Sequence, residues 1–399
     1  MLATEQQFTD EGAGTIAIPL LSELVSIDTT NPPGNELAVA RHVSTLLESY
    51  GIASEIDEFE PGRANLVATL KGLGRRPALV LSAHMDTLPI GREQWSKSPF
   101  SGENDGERIF GRGAADMKGA IAAMVEVLVD FASEQEQLDG DIILALSAGE
   151  STNCDGAKRL VQREDVRRAG AALVGEPTTL KLVTAEMGAL WLRIVSSGRT
   201  GHSSGDGGVN AILQLLGYLA VITALEIPCP DHPTLPVPSM LVGRIRGGDA
   251  VNMVPDHCEA EIDIRVRPGT SVDEIIDLLK QFTPGTIDVE LIDFKPPVET
   301  ARDHPLVDIS INACRAVHGD GSVSGVSYYS DATIFASELP MPFVIIGPGA
   351  LGMSGRPDEY VDLENLKKVI SIYRRIAKDW LCGGANVSPA VAAHSDNRV

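Results

Sequence analysis

The sequence predicts an α/β fold, a mainly parallel sheet flanked by helices, into which a second, α+β segment is inserted. Up to about residue 186, short apolar strands alternate with helical stretches, which is the pattern of a parallel sheet with helical crossovers. Between about 187 and 297, the strands instead alternate between polar and apolar residues, as in a sheet with one exposed face. At 399 residues the chain is also too long for one ordinary core, so two domains are expected.

The elements of the first segment follow from apolar periodicity. Apolar residues recur at helical spacing in 15–27 and 36–50. Short apolar runs predict strands, and longer stretches predict further helices. The strands are at 52–58, 65–71, 78–84, 141–147 and 171–174, and the helices are at 119–133 and 155–163.

The inserted segment reads as β-α-β-β-α-β, the order of a ferredoxin-like unit with an antiparallel sheet. Its strands lie at about 190–196, 240–248, 258–267 and 287–294, with helices at about 208–223 and 271–282. The α/β pattern then resumes, with helices at 304–318, after Asp331 and at 362–381, and a strand at 343–346. We therefore assign residues 1–186 and 298–382 to one domain and 187–297 to the inserted one, and we expect 383–399 to be disordered.

Composition narrows the function. The formal charge of −22 argues against binding to nucleic acid or to anionic membranes, because both need clustered positive charge. The five cysteines are far apart in the sequence and form no metal-binding motif, as expected for reduced thiols in the cytoplasm. No signal peptide and no membrane-spanning run is expected. The sequence therefore predicts a cytoplasmic protein.

His84 and Asp86 are the first candidate site residues. They end an apolar strand and, two residues apart, project from the same face of it. An imidazole beside a carboxylate is typical of a metal ligand with its orienting acid, or of a general base with its orienting acid. A histidine that merely caps the strand end is the third possibility.

Three more acids occur at comparable places. Glu150 and Glu176 each follow an apolar strand, and Asp116 precedes a helix, where it could be an N-cap or a metal ligand. Because parallel strands place their carboxyl ends along one edge of the sheet, we expect His84, Glu150 and Glu176 to lie close together.

The chain resembles the M20 family of zinc-dependent aminoacylases, deacetylases and peptidases, which includes acetylornithine deacetylase, succinyl-diaminopimelate desuccinylase and carboxypeptidase G2. The resemblance spans about residues 15–381 and implies a zinc-peptidase-like fold in which 187–297 is a lid and dimerisation domain. Its motifs, in the family's order, are Ser82-Ala-His-Met-Asp-Thr, Gly111-Arg-Gly-Ala-Ala-Asp-Met-Lys-Gly, Gly175-Glu-Pro-Thr, Gly201-His-Ser-Ser, Asn252-Met-Val-Pro, Asp263-Ile-Arg, Gly347-Pro-Gly and Pro357-Asp-Glu-Tyr.

The resemblance implies roles for the strand-end residues. His84, Asp116 and Glu176 match one complete zinc site, and Asp86 matches the acid that orients His84. Glu150 matches the general base, and the bond after Asp116 matches an unusual cis peptide in the family.

It also implies roles for the inserted domain. His202 matches a histidine that reaches the partner subunit's active site and stabilises the oxyanion, so a functional homodimer through the lid is expected. Asn252 and Arg265 match positions that contact the substrate, although Arg265 on an alternating strand could equally be a surface charge.

Two positions depart from the family's pattern. Ser151 stands where the family has a second acid, and Gly355 stands where it has a histidine. In the family these two ligands serve the same metal. We therefore expect one metal per chain, zinc or else cobalt or manganese, and we expect the charge of Arg356 to take the place of the lost cation.

The predicted function is hydrolysis of an amide bond in an N-acyl amino acid or small peptide, by metal-activated water with Glu150 as the general base. One alternative is a repurposed enzyme that carries out acyl transfer, amide formation or another reaction of specialised metabolism. A second alternative is a binding protein without catalysis, which the retained Glu150 argues against.

Overall fold

In the computed structural model, which describes residues 12–134, 137–205, 207–339 and 341–382, the apolar runs form strands and the amphipathic stretches form helices. The predicted disorder of 383–399 lies outside these ranges. The described residues divide into two units. The first comprises the chain up to Thr184, Thr300–Ser324 and the residues from Ser330 onward, and the second comprises Ala185–Glu299 and Gly325–Tyr329.

The helices and strands are numbered in chain order. The helices are α1 (Ala17–Ser26), α2 (Glu36–Ser49), α3 (Gly119–Ser133), α4 (Asp155–Leu160), α5 (Glu164–Arg167), α6 (Ala211–Ile222), α7 (Val272–Lys280), α8 (Pro305–His318), α9 (Ala332–Glu338) and α10 (Leu363–Cys382). The strands are β1 (Ser54–Glu60), β2 (Arg63–Leu70), β3 (Leu79–His84), β4 (Glu103–Asn104), β5 (Arg108–Phe110), β6 (Ile142–Ser147), β7 (Ala171–Val174), β8 (Leu182–Glu186), β9 (Gly188–Ser197), β10 (Ser239–Gly247), β11 (His257–Val266), β12 (Ile287–Lys295), β13 (Val298–Glu299), β14 (Val323–Val326), β15 (Phe343–Ile345) and β16 (Tyr360–Asp362). None of the helices in the described ranges is both long enough and apolar enough to cross a bilayer.

The sheet of the first unit runs in the order β1-β2-β6-β3-β7-β15-β8. Its four central strands, β6, β3, β7 and β15, are parallel to one another. Strands β1, β2 and β8 are added antiparallel at the two sides. Every residue of β3 and β6 is buried, which explains why these strands read as continuous apolar runs. The predicted α/β class is confirmed, and the parallel part of the sheet is its centre.

Helix α3 lies in the core of this unit, where it packs against α1 and α10. It is apolar around nearly its whole circumference, so it can be stable only when enclosed. Its one fully buried acid, Glu126, accepts backbone N–H groups of Gly14 and Ala17, both at 2.6 Å. These bonds satisfy donors at the start of α1 that would otherwise lack partners.

The second unit is built from β9-α6-β10-β11-α7-β12, as the inserted segment predicts. Its four strands form an antiparallel sheet in the order β10-β11-β9-β12, which is the ferredoxin-like arrangement. Burial alternates along β11 because one face of the strand packs on the core and the other does not.

The second unit also takes in Gly325–Tyr329, which the sequence analysis assigns to the other domain. The carbonyl of Val326 accepts the N–H of Met187 at 3.0 Å, which ties this short return to the second unit. Gly325 allows it to pack closely, since a Cβ there would lie 2.6 Å from Leu235 Cδ2. Because a single backbone contact of this kind leaves no periodic pattern in the sequence, the sequence could not indicate that these residues belong to the second unit.

Candidate metal centre

Three parallel strands bring the candidate residues to one edge of the sheet. Strand β3 lies between β6 and β7, so His84 at its end is placed between Glu150, just beyond β6, and Glu176, just beyond β7. The strand-end arrangement expected from the sequence is therefore what the fold contains.

His84, Asp116 and Glu176 form a compact ligand group. The Nε2 atom of His84 lies 3.1 Å from Asp116 Oδ1 and 3.6 Å from Glu176 Oε1. One ligand atom from each residue lies within 4.8 Å of the other two. Within the part of the chain that the structure describes, this is the one group of three such residues close enough to hold a metal ion. His84 and Glu176 are 4% and 5% exposed, so an ion held here would be shielded from bulk water.

The main chain of Asp86 orients the ring of His84. The carbonyl oxygen of Asp86 lies 2.9 Å from His84 Nδ1, whereas its carboxylate is more distant, at 3.6 Å. With Nδ1–H donating to this carbonyl, the lone pair of Nε2 points toward Asp116 and Glu176. Asp86 thus lies where the orienting acid was expected, but the hydrogen bond comes from its carbonyl oxygen.

The Asp86 carboxylate instead organises the neighbouring loop. It accepts the N–H of Glu150 at 3.1 Å, the N–H and hydroxyl of Ser151 at 3.2 and 2.6 Å, and the side-chain amide of Asn31 at 3.0 Å. Burial would raise the pKa of Asp86, but the charge of His84 and these hydrogen bonds lower it. An ionised Asp86 therefore anchors the loop that carries Glu150.

Glu359 fixes the turn that carries Asp116. Its Oε1 accepts the N–H groups of Gly113, Ala115 and Asp116 at 3.0 to 3.1 Å, and its Oε2 pairs with buried Arg112. The peptide bond after Asp116 is cis, as the resemblance implies. The side chain of Asp116 contacts His84 and the hydroxyl of Ser354. It does not cap α3, so the N-cap alternative is wrong.

Close packing of charges shifts the titration of the ligand group. Burial lowers the pKa of His84, but its hydrogen bond to Asp116 and the charge of Glu176 outweigh burial and leave that pKa well above its usual value. Burial and the charge of Asp116 raise the pKa of Glu176 well above its usual range. Both shifts favour the protonated forms of His84 and Glu176, so a metal ion would bind in competition with protons.

Glu150 stands beside this group without belonging to it. Burial raises its pKa well above the usual value. His84 opposes that shift, while the negative charges of Asp331 and Asp86 add to it. A carboxyl group with a raised pKa is suited to accept a proton and later release it.

Two residues near the centre were not recognised in the sequence. Asp331 is 2% exposed, accepts a hydrogen bond from the hydroxyl of Ser147 and has a pKa raised to about 6 by burial. Lys118 is fully buried and donates to the carbonyls of Leu24 and Ile27 at 2.9 and 2.7 Å. Lys118 stands in the glycine-rich family motif that begins at Gly111, and this place in the motif is the feature of the sequence that could have identified it. Asp331 was visible only as a polar residue before a helix.

Comparison with known proteins decides the family. The family model described as peptidase family M20/M25/M40 matches residues 80–379. This chain belongs to that family. The acetylornithine deacetylase of Photorhabdus laumondii subsp. laumondii is 31% identical over 377 residues, which cover 89% of this M20 chain and 93% of the relative. A probable succinyl-diaminopimelate desuccinylase of Staphylococcus epidermidis is 28% identical, over 91% of this chain and 97% of the relative.

Solved structures share the fold of this M20 chain. A tripeptidase from Staphylococcus aureus aligns with a TM-score of 0.75 at 21% identity, over 93% of this chain and 98% of its own. A dinuclear metal-binding M20 peptidase from Bacillus subtilis aligns with a TM-score of 0.68 at 16% identity, over 92% and 97% of the two chains. At these identities the likeness concerns the fold.

The structure shows which groups surround Ser151 and Gly355, the two positions that depart from the M20 pattern. Ser151 gives its hydroxyl to Asp86, as described above. Gly355 has a left-handed backbone, with φ of +78°, and its carbonyl accepts a hydrogen bond from Arg112 at 3.1 Å. The side chain of Arg356 is exposed, and the group that contacts Asp116 from this loop is the hydroxyl of Ser354. The expectation that Arg356 replaces the lost cation is therefore wrong.

The remaining candidates of the M20 chain lie in the second unit. His202 is exposed, and its Nδ1 lies 2.7 Å from the hydroxyl of Ser204. Asn252 lies in the facing turn, where its carbonyl accepts the N–H of Ser203 at 3.1 Å. Arg265 on β11 is partly buried, forms an ion pair of 2.9 Å with Asp263 and lies over the ring of Tyr329, 5.4 Å from its centre.

Proposed function

We propose that this chain hydrolyses the amide bond of an N-acyl amino acid or small peptide at a mononuclear metal centre, with Glu150 as the general base. Its M20 membership and its relatives named as deacetylase and desuccinylase support this activity. The observation that carries it is the placement of Glu150, a carboxyl group with a raised pKa, beside the group formed by buried His84 and Glu176 and half-buried Asp116.

The ligand group fits a catalytic divalent cation. It offers one imidazole nitrogen and two carboxylate oxygens, a donor set that suits zinc and also accepts cobalt or manganese. His84 is already oriented through Nδ1, as metal-binding histidines commonly are. A cation bound here would polarise the scissile carbonyl and lower the pKa of water.

The chain's own residues supply the proton transfers. Glu150 removes a proton from the attacking water, keeps it while the carbon–nitrogen bond breaks, and delivers it to the leaving amine nitrogen. Its raised pKa favours the protonated intermediate state of this cycle. Asp86 holds Glu150 in place because its carboxylate accepts the backbone N–H of Glu150 at 3.1 Å.

The surroundings of the two departures support one metal ion. Ser151 contributes a hydroxyl that is already used by Asp86, and Gly355 contributes no side chain. The second oxygen of Asp116 accepts the hydroxyl of Ser354. Of the positions that hold the second metal ion in the family, this chain thus keeps only Asp116. That residue already belongs to the ligand group with His84 and Glu176.

We further propose a homodimer through the second unit, in which His202 stabilises the oxyanion in the neighbouring subunit's centre. The exposed position of His202 in a short loop supports a role outside its own unit's core. In the same proposal Asn252 and Arg265 contact the substrate. The guanidinium of Arg265 is suited to a carboxylate, and Asp263 and Tyr329 hold it in one orientation.

The test combines metal content with turnover. The purified protein, incubated with zinc or cobalt, is expected to hold about one metal ion per chain and to hydrolyse at least one member of a panel of N-acyl amino acids and dipeptides. Glu150→Gln should lower kcat at least about 100-fold while keeping the metal. Two tightly held ions per chain would contradict the mononuclear site. A metal-loaded protein that hydrolyses no compound of the panel would contradict the proposed hydrolysis.

A further inference from the structure

A pocket of about 500 Å³ opens between two loops of the first unit. One wall is formed by residues 90–93, which follow the loop after β3, and the other by residues 355–357, which precede β16.

A buried arginine fixes both walls. Arg112 is 1% exposed, and its Nη2 donates to the carbonyls of Pro89 and Gly355, both at 3.1 Å. The carboxylate of Glu359 pairs with the same guanidinium, so its charge is balanced from within. Because one rigid group binds the base of both loops, the pocket is preformed rather than created by a ligand.

The pocket adjoins the metal centre. Ser354 contacts Asp116 through its hydroxyl, and the next residue, Gly355, begins the pocket wall. A Cβ at Gly355 would meet only Leu88 Cδ1 within 4 Å, at 3.3 Å. A side chain is therefore loosely surrounded at the position where the family has a histidine.

Two guanidinium groups line this pocket. Arg92 and Arg356 stand on opposite walls and are both exposed. Neither side chain forms a hydrogen bond or an ion pair with any residue that the structure describes. The one acid of the lining, Glu93, pairs with neither of them, so the pocket keeps a net positive charge in a chain whose formal charge is −22.

We propose that this pocket binds a carboxylate of the substrate, with Arg92 and Arg356 as its ligands. A guanidinium presents several N–H donors in one plane and matches the two oxygens of a carboxylate. The carboxylate belongs either to the far end of a dicarboxylic acyl group or to the amino acid on the amine side. This inference rests on the proposed amide hydrolysis, since it names the substrate class for that site.

Calorimetric binding tests the proposal without turnover. The probes are the monomethylamide of succinic acid, whose carboxylate is on the acyl side, N-acetylglycine, whose carboxylate is on the amine side, and the neutral diamide of succinic acid. The metal-loaded wild type should bind one of the two acids more tightly than the diamide. Arg92→Gln/Arg356→Gln should weaken that acid at least about tenfold.

Two further variants test whether the sign of the charge in the pocket matters and whether removing a positive charge elsewhere has the same effect. Glu93→Gln removes the one negative charge of the lining and should tighten binding about two- to threefold. Arg41→Gln removes an exposed arginine of α2, away from the pocket, and should leave binding unchanged. Melting curves and metal content confirm that each variant is folded and loaded.

Each outcome is decisive. The acid whose affinity falls in the double variant identifies the source of the carboxylate. If the double variant binds both acids as the wild type does, the pocket proposal is overturned. If the arginine dependence is found but no amide is ever hydrolysed, the binding site stands and the proposed hydrolysis fails.

Discussion

The hydroxyl of Ser151 donates to the carboxylate of Asp86 at 2.6 Å. At this position the M20 pattern has a second acid, and an ionised acid could accept hydrogen bonds but could not donate one. The serine therefore gives the buried Asp86 a partner that the usual residue cannot provide. Serine in place of the acid therefore fits the surroundings of Asp86. This fit is the physical argument for a stable centre with one metal ion.

Ser151→Glu should destabilise the metal-free protein. It would place a second carboxylate beside the buried Asp86 and replace a donor by a like charge. We expect the free energy of unfolding to fall by about 1–3 kcal/mol, measured as a lower melting midpoint after treatment with a chelator.

The matched control is Ser151→Ala, which loses the hydrogen bond without adding charge and should cost about 1 kcal/mol. Equal melting midpoints for the two variants would show that the carboxylate at this position is tolerated. The argument that serine is required beside Asp86 would then fail.

Much of the centre can be predicted from residues that follow apolar strands. His84, Glu150 and Glu176 come together because β6, β3 and β7 are adjacent and parallel, and apolar runs already indicate such strands. Asp116 was already a candidate from its place before a helix, where an N-cap was the alternative, and the family motifs implied its role as a ligand. What they could not indicate is that the ring of His84 is held by the carbonyl of Asp86, because side-chain and main-chain acceptors of one residue are indistinguishable in a sequence.

The residues that support the centre could not be predicted for a different reason. Glu359 binds three N–H groups of the turn that carries Asp116, although some 240 residues separate them. It stands in the quoted motif Pro357-Asp-Glu-Tyr, but the motif does not indicate what its carboxylate binds. Asp331 contacts Ser147 from a distant part of the chain in the same way. Such contacts depend on tertiary packing, which local periodicity does not encode.

His84→Ala should abolish metal binding. Asp116 and Glu176 alone would leave two carboxylates, too few donors to retain zinc against water. For the wild type, zinc at about a hundredfold excess over Kd should stabilise the fold by about 2.7 kcal/mol, seen as a rise in the melting midpoint. The variant should show no rise and no bound zinc by elemental analysis.

His42→Ala provides the control for the loss of an imidazole. His42 is on α2, where its Nε2 lies 2.8 Å from Glu23 at the surface. This variant should respond to zinc as the wild type does. A His84→Ala protein that kept its metal would place the site elsewhere.

Asp331→Asn should move the pH dependence of catalysis. The negative charge of Asp331 helps to raise the pKa of Glu150, so its removal lowers that pKa. Glu150 acts in its ionised form, and kcat/KM falls as the pH drops below its pKa. The acid limb of the profile should therefore shift to lower pH, while asparagine can still accept the Ser147 hydroxyl. A limb that stays in place would show that Asp331 does not act on the base.

Two inactive variants should restore each other if His202 acts across the dimer. In a mixed dimer of Glu150→Gln and His202→Ala subunits, one centre has its own Glu150 and receives His202 from its neighbour. With random pairing, half of the dimers are mixed and one of their two centres works, so about a quarter of wild-type activity should return. Coexpression with two affinity tags measures this. If His202 serves its own subunit, no centre in the mixture has both residues, and activity should stay at the level of the separate variants.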